Sequence, residues 1–138
     1  MTKKEYDRSY HRKYDKSPVG IWSHLGHNST GKKKERKISK EDFIKWYVIQ
    51  KKQCIYCGIK EKDLKNDWRI KTKGVRLEID RKDNNQPYIL GNLSLACRYC
   101  NITKSDIFNY QEMRIIGKIL NKKEVAFILM RKKKRPNL

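Results

Sequence analysis

Four cysteines in two Cys-x-x-Cys pairs constrain the fold of this chain more than any other feature. The pairs are Cys54 with Cys57 and Cys97 with Cys100, and residues 58–96 separate them. Two such pairs supply the four thiolates of a tetrahedral zinc site, and a zinc ion with four protein ligands keeps no open position for catalysis. The spacing therefore predicts a structural zinc ion that ties together two elements distant in sequence.

Disulfides or free buried thiols are the alternatives to a metal site. Residues 1–8 are polar and charged, and no apolar stretch typical of a secretory leader follows them. Disulfides persist mainly in oxidising compartments, which a chain without such a leader is not expected to reach. We therefore expect a cytoplasmic protein in which the four cysteines bind zinc.

A large excess of basic residues indicates a polyanionic partner. Among 138 residues, 35 are Lys or Arg and 15 are Asp or Glu, which gives a formal net charge of +20. The longest apolar run, residues 125–130, is far shorter than the roughly 20 residues that span a bilayer. Nucleic acid is therefore favoured over a membrane as the partner.

Basic residues that precede the first firmly predicted helix are candidates for DNA contacts. They are Lys32, Lys33, Lys34 and Arg36, and Lys104 after the second cysteine pair is a further candidate. A groove that follows a phosphate backbone needs such cations. For any single lysine, a solvated surface position is the ordinary alternative.

A period of two in hydrophobicity predicts two strands between the cysteine pairs. Apolar residues at 75, 77 and 79 alternate with polar residues at 76, 78 and 80, which is typical of a strand with one buried and one solvent-facing side. Residues 93–96 are predicted to form the returning strand. A helix is then expected to open at Cys97 or Cys100 and to carry Asn101 and Lys104 on successive turns.

A buried helix is predicted before the first cysteine pair. Ser39 is expected to cap it, and Asp42 three positions later completes a capping box. Residues 43–50 are apolar nearly all round, so this helix should be well buried. Further upstream the chain is polar and basic, and a short helix near residues 3–14 is considered there.

A last helix is predicted from Asn109 to about Met130. Asn109 is its expected cap, Glu112 stands three residues later, and apolar residues recur with a helical period. A break is expected near Asn121. The basic residues beyond the helix predict a tail.

The central unit resembles the HNH, or ββα-metal, endonucleases. The resemblance rests on the paired cysteines, on the order strand, loop, strand, helix, and on Asp80, Asn92 and Asn101 within it. Residues 54–104 carry this match, and a closer similarity to the PacI-like restriction endonuclease branch covers about residues 40–115. The implied fold class is α+β, with a small zinc-stapled ββα core and flanking helices.

This resemblance implies one HNH nuclease domain over residues 1–138. A basic, DNA-contacting region is expected at residues 1–37, and the zinc-bound ββα core at residues 38–108. The C-terminal helix and its basic tail are expected at residues 109–138. The PacI-like branch also implies a homodimer that cuts both strands of a palindrome, with one active site for each strand.

The resemblance further implies that Asp80 and Asn101 hold the catalytic metal ion, Mg²⁺ or Mn²⁺, and that Asn92 braces the loop between the strands. Phosphodiester hydrolysis needs an attacking water, an acceptor for its proton and positive charge near the developing phosphorane. Carboxylate and amide oxygens are the hard ligands that Mg²⁺ prefers. Outside this context each of the three residues is an ordinary turn or cap residue.

Arg81 departs from the usual HNH pattern, in which the general-base histidine occupies this position. A guanidinium keeps its proton near neutral pH, so Arg81 is expected to hold the scissile phosphate instead. The PacI-like branch shares the Asp-Arg pair and implies a tyrosine near the phosphate, which matches Tyr47; helix packing is the alternative role. It also implies an upstream histidine base, for which His27 is the first candidate and His24 the second.

The predicted function is site-specific, metal-dependent hydrolysis of double-stranded DNA by an enzyme of the restriction, homing or phage type. The alternative is a catalytically degenerate zinc-containing protein that binds DNA or RNA, which is favoured if no histidine serves as the base. Asp80 together with Asn101 favours the enzyme. A protein that only binds nucleic acid gains nothing from a carboxylate that faces a phosphate.

Overall fold

The computed structural model describes residues 1–26, 34–69 and 76–122, and it has the expected α+β fold class. Within these ranges the helices are α1 (Lys3–Lys16), α2 (Pro18–His24), α3 (Lys40–Ile49), α4 (Arg98–Lys104) and α5 (Tyr110–Leu120). Strands β1 (Glu78–Arg81) and β2 (Leu93–Ala96) pair in an antiparallel two-stranded sheet. A short 3₁₀ helix spans Glu61–Asn66. None of the described helices is long and apolar enough to cross a membrane.

The chain forms two compact units. The first contains Met1–Lys51 with Asn85–Leu93, and the second contains Lys52–Asn84 with Ser94–Leu138. The four cysteines, β1 and α4 all belong to the second unit, so the geometry of the expected site is set mainly there. One nuclease domain over residues 1–138 stays a prediction.

The first unit is helical, and side-chain caps define where its helices start. Thr2 and Glu5 form a reciprocal capping box at α1, and Ser39 accepts a hydrogen bond from the backbone N–H of Asp42 at α3, at 3.1 Å. These caps satisfy backbone donors that have no partner within the helix. The predicted Ser39 cap of α3 is confirmed; of the expected capping box, the described residues show this Ser39 half.

The predicted burial of α3 was wrong. Phe43 and Tyr47 are buried, but Val48 is exposed and Ile49 is 79% exposed. Helix α2 packs against α3, and the buried residues Phe43 and Tyr47 lie four positions apart on one side of the helix. An apolar sequence all round the helix therefore does not bury it all round.

In the second unit, α4 opens at the second cysteine pair as predicted. Cys97 is the N-cap residue of α4, and its Sγ accepts a hydrogen bond from the backbone N–H of Cys100 at 3.4 Å. Asn101 and Lys104 follow on successive turns of this helix. The second cysteine pair therefore sets the starting point of the helix that carries both residues.

Helix α5 has the predicted capping box of Asn109 and Glu112 and ends at Leu120, with Asn121 as the C-cap residue. The break near Asn121 is confirmed. The remainder of the predicted helix, residues 123–130, lies outside the described residues. The first strand was predicted to start earlier than it does: residues 76 and 77 precede β1, and residue 75 lies outside the described residues.

A glycine lets α5 pack against the turn of the first cysteine pair. A Cβ atom at Gly117 would lie 2.5 Å from the carbonyl carbon of Tyr56 and 2.6 Å from its Cβ. Backbone atoms cannot move aside as a flexible side chain can. Gly117 is buried in the middle of α5, so the helix approaches Tyr56 as closely as its own backbone permits.

Gly117→Ala should therefore destabilise the protein. In an unconstrained helix interior, Gly→Ala stabilises by roughly 0.5–1 kcal/mol, but here we expect a net loss of about 1–3 kcal/mol from overpacking. Denaturant unfolding of the variant measures the change, with Lys118→Ala, an exposed position on the same helix, as the control. Equal or higher stability of Gly117→Ala would contradict this packing.

Candidate active site and metal centre

The four cysteine sulfurs form a cluster that fits a tetrahedral metal ion. The Sγ atoms of Cys54, Cys57, Cys97 and Cys100 all lie within 4.8 Å of one another, and those of Cys57 and Cys97 are 3.8 Å apart. A zinc ion with Zn–S bonds of about 2.3 Å requires tetrahedral sulfurs about 3.8 Å apart. All four cysteines are free of disulfides, so a metal site agrees with the geometry and disulfides do not.

Local backbone bonds shape the first cysteine pair into a tight turn. The Cys54 N–H donates to the carbonyl of Ile59 at 2.9 Å, and the Gly58 N–H donates to the carbonyl of Cys54 at 3.0 Å. Gly58 has a φ of 79°, which favours glycine because other residues are strained there. This turn directs both thiols of the pair toward the cluster.

Hydrogen bonds among the four thiols shift their pKa values in opposite directions, downward at Cys54 and Cys57 and upward at Cys97 and Cys100. A bond from Cys100 lowers the pKa of Cys54 to about 7 and lowers the pKa of Cys57 far below its usual range. Metal ligation by cysteine requires the thiolate form. A zinc ion at the cluster would therefore displace the protons of its cysteine ligands.

Tyr56 connects the first cysteine pair to Asp80 on β1. Tyr56 stands between Cys54 and Cys57 in the sequence, and its hydroxyl donates a hydrogen bond to Oδ2 of Asp80. Burial, followed by this bond to Asp80, raises the pKa of Tyr56 above its usual range, so the phenol stays protonated. The side chain packs edge-on against Tyr110, with ring centroids 5.9 Å apart, which fixes its direction.

Lys104 approaches the same carboxylate from α4. Its ammonium group donates to Oδ1 of Asp80 at 3.2 Å, to the backbone carbonyl of Arg81 at 2.6 Å and to Oδ1 of Asn84 at 2.9 Å. A lysine has three N–H donors, and three acceptors are present. Lys104 therefore connects the end of β1 to the start of the following loop through hydrogen bonds.

The burial of this pair corrects two expectations. Asp80 was placed on a solvent-facing side of its strand, yet it is 4% exposed, because Tyr56, Lys104 and Ser94 surround its carboxylate. Lys104 was a candidate for DNA contact, yet it is 1% exposed and bonded inside the unit. Its position fits a role in holding Asp80 and does not fit a surface contact with DNA.

Asn101 contacts a carboxylate that the sequence analysis did not single out. Its Nδ2 lies 3.4 Å from Oε1 of Glu78 on β1. Because the amide nitrogen donates to Glu78, the amide oxygen of Asn101 points in another direction. Glu78 and Asp80 lie two residues apart on β1, on the same side of the strand. The alternation of apolar and polar residues in the sequence already places Glu78 and Asp80 on one side of the strand, and this was the signal that could have indicated Glu78.

Arg81 and Asn92 stand at the two ends of the loop between the strands. Arg81 is half-buried, and its carbonyl is the acceptor for Lys104. The side chain of Asn92 donates to the carbonyl of Pro87 at 3.0 Å and contacts that of Gln86 at 3.4 Å. These bonds tie the end of the loop to its middle, and a bracing role for Asn92 stays a prediction.

The remaining candidates belong to the first unit. Tyr47 is buried and stacks on Phe43, with ring centroids 5.7 Å apart and an interplanar angle of 21°. The guanidinium of Arg36 lies 3.8 Å from the ring centroid of Trp22 and donates to the Trp22 carbonyl at 2.8 Å. Lys34 is exposed. His27, Lys32 and Lys33 lie outside the described residues.

His24, the second candidate base, lies at the end of α2 and is exposed. Its Nε2 is 3.2 Å from Oδ1 of Asp15, and both side chains are more than half accessible to solvent. A carboxylate on one ring nitrogen fixes the orientation of an imidazole and leaves the other nitrogen free to act. His24 therefore has the geometry of an oriented imidazole at the surface.

Comparison with solved structures finds a match in the rare-cutting HNH restriction endonuclease PacI, which is described as perturbing DNA. The two sequences are 31% identical, the match covers 78% of each chain, and the TM-score is 0.65. No protein-family model and no curated protein matches the chain. An identity of this size over most of both chains goes beyond a shared fold.

Lys104→Met should destabilise the second unit, because it leaves the buried Asp80 without its cation. Removing one partner of a buried ion pair commonly costs about 3–5 kcal/mol. Urea unfolding of Lys104→Met and of the exposed control Lys118→Met measures this. The control should stay close to the wild-type protein, and an unchanged midpoint for Lys104→Met would contradict the assigned role of Lys104.

Proposed function

The chain belongs to the HNH endonuclease family, and from this premise we propose that it is a metal-dependent nuclease that hydrolyses phosphodiester bonds at specific sites in double-stranded DNA. The observation that carries the proposal is Asp80, a buried carboxylate at the end of β1. Each half of the four-cysteine cluster is linked to Asp80: Tyr56 of the first pair donates to one carboxylate oxygen, and Lys104 of α4, which follows the second pair, donates to the other. A protein that only binds polyanions has no use for such a carboxylate.

The four-cysteine cluster would hold a structural zinc ion. Its sulfur spacing supports this, as do the four thiol ligands, which leave no open coordination position. Binding of zinc by a site that joins distant segments contributes directly to folding stability. In this proposal zinc takes no part in the reaction.

Asp80 and Asn101 would hold the catalytic metal ion, Mg²⁺ or Mn²⁺. Both offer hard oxygen atoms, one from β1 and one from α4, and these two elements are in contact. Asn101 Nδ2 donates toward Glu78, and the amide oxygen would be the atom that binds the cation. When bound, the ion would supply positive charge near the developing phosphorane and the leaving 3′ oxygen.

Arg81 would hold the scissile phosphate. A guanidinium can form two parallel hydrogen bonds to phosphate oxygens and stays protonated at neutral pH. The adjacent Asp80 fixes Arg81 beside the proposed metal position, and the bond from Lys104 to its carbonyl holds the backbone at this point. Arg81 therefore orients and neutralises the phosphate and leaves proton transfer to another group.

A histidine upstream would take the proton from the attacking water. His27 is the first candidate, and His24 the second, which the Asp15 carboxylate orients. An imidazole with an ordinary pKa of about 6.5 suits a base near neutral pH. Tyr47 would lie near the phosphate in this scheme.

The substrate is proposed to be double-stranded DNA, because the net charge of +20 favours a polyanion. Lys32, Lys33, Lys34 and Arg36 would contact its backbone, and phosphate contacts set the position of a protein without reading sequence. A homodimer would bring one active site to each strand of a palindromic target. Such an enzyme would serve restriction, homing or phage DNA processing.

The proposal is tested by incubating purified protein with plasmid DNA and Mg²⁺ or Mn²⁺. Discrete fragments should form, and EDTA should abolish them. Asp80→Asn keeps the shape of the side chain and should lower the rate by at least about 100-fold, since loss of one preorganised electrostatic contact commonly costs 10²–10³-fold. Asp106→Asn, an exposed position, is the matched control and should cut normally.

Two outcomes would contradict the proposal. If the plasmid stays intact but shifts on a gel, the chain is a catalytically degenerate DNA-binding protein. If fragments form equally with Asp80→Asn, the cleavage does not depend on the site described above.

The choice of base is tested separately with His27→Ala and His24→Ala. We expect the variant that lacks the base to cut more slowly by about 100-fold or more, while the other variant keeps nearly the full rate. The base should also appear in the pH–rate profile as an acid limb that is missing from the slow variant. Undiminished rates in both variants would remove histidine from the mechanism.

A further inference from the structure

A buried ion pair lies beside the four-cysteine cluster. The side chains of Asp67 and Arg69 are 2% and 0% exposed, and Nη2 of Arg69 is 2.8 Å from Oδ2 of Asp67. Nε of Arg69 also donates to Oδ1 of Asp67 at 3.0 Å, as does the Arg69 backbone N–H. These bonds fix the plane of the guanidinium. Burying two charges is costly unless further contacts compensate for the lost water.

The guanidinium also faces the sulfur atoms. Nη2 of Arg69 lies 3.3 Å from Sγ of Cys57 and 3.9 Å from Sγ of Cys97. One of these cysteines belongs to each pair, so Arg69 contacts both halves of the cluster. Hydrogen bonds from a charged donor to a charged acceptor are about twice as strong as those between neutral groups.

Further contacts hold Arg69 in this place. The ring centroid of Tyr99, which lies between the cysteines of the second pair, is 5.2 Å from the guanidinium carbon. Nη1 is buried and has no hydrogen-bond partner among the described residues. A cation with an unsatisfied N–H is stable in such a position only if nearby negative charge compensates for it. Asp67 supplies one negative charge, and thiolates would supply more.

We propose that Arg69 is a positioning residue for the structural metal, an outer partner of the thiolates that sets how tightly zinc is held. The inference rests on the zinc site proposed above. Four thiolates around Zn²⁺ carry a net charge of −2, which is costly in a buried site. Arg69 offsets part of this charge, and its bond to one cysteine of each pair holds the pairs at the distance that zinc requires.

The first measurement is the zinc affinity of the full-length protein, by competition with a chromophoric chelator. Loss of an outer partner of metal ligands typically costs 10–100-fold in affinity, and we expect Arg69→Met to weaken zinc binding by about this factor. Arg98→Met is the matched control, since Arg98 lies within the second pair but is exposed. Its affinity should stay within about threefold of the wild-type value, as expected for a surface charge.

A spectroscopic measurement separates this role from simple packing. With Co²⁺ in place of zinc, the sulfur-to-cobalt charge-transfer band reports electron density on the thiolates. Loss of the Arg69 hydrogen bonds should shift this band in Arg69→Met and leave it unchanged in Arg98→Met. A residue that only fills space would leave the band in place.

Arg69→Met leaves Asp67 buried without a partner and can fail to fold for that reason. The double variant Asp67→Asn with Arg69→Met removes both charges and keeps the side-chain sizes similar. Weakened zinc binding and a shifted cobalt band in either folded variant support the proposal. Wild-type affinity and an unshifted band overturn it, and so does failure of the double variant to fold even with saturating zinc.

The outcome for the wild-type protein separates this inference from the wider proposal. If the purified protein binds no zinc, both the structural zinc site and the role of Arg69 are refuted. If zinc binds equally well with and without Arg69, only the inference about Arg69 fails. Neither readout depends on DNA cleavage.

Discussion

The convergence of four cysteine sulfurs within 4.8 Å is the constraint on which the site depends. It joins the turn of the first pair to the start of α4, although residues 58–96 lie between them. Each half then delivers one side chain to Asp80: the first pair brings Tyr56, and α4 brings Lys104. A metal at this cluster would therefore hold in place the two elements that position Asp80, even though it keeps no position open for substrate.

The Asp80 network fixes the position of one buried carboxylate within this frame. The carboxylate is buried and bonded on both oxygens, so its position is fixed before any cation or DNA binds. Lys104 extends the same network to the Arg81 carbonyl and to Asn84 in the loop. Preorganisation of this kind reduces the reorganisation that a charged transition state would otherwise require. In the proposed mechanism it would also link stability to function, because Lys104, which holds Asp80, is its buried ion-pair partner.

The sequence was most informative where the determinants are local. Residues within one turn or one strand determine the features that were predicted well: the caps at Ser39 and Asn109, the opening of α4 at Cys97 and the presence of two strands. Burial was less predictable, because it depends on distant segments: Asp80 looks solvent-facing until Tyr56 and Lys104 cover it. Arg69 had no distinguishing local pattern in a chain so rich in charge, and the alternation that groups Glu78 with Asp80 did not indicate its partner. Their contacts with Cys57 and Asn101 appear only when the chain is folded.

We propose that a structural zinc ion in the cysteine cluster positions a second, catalytic metal site at Asp80 and Asn101. Anomalous X-ray scattering from crystals of the protein with DNA and Mn²⁺ tests this most directly, since Zn²⁺ and Mn²⁺ are distinguished by their absorption edges. We expect a zinc peak among the four sulfurs and a manganese peak bound by oxygen atoms of Asp80 and Asn101 near a phosphate. A manganese peak held by other residues, or no zinc peak within the cluster, would contradict it.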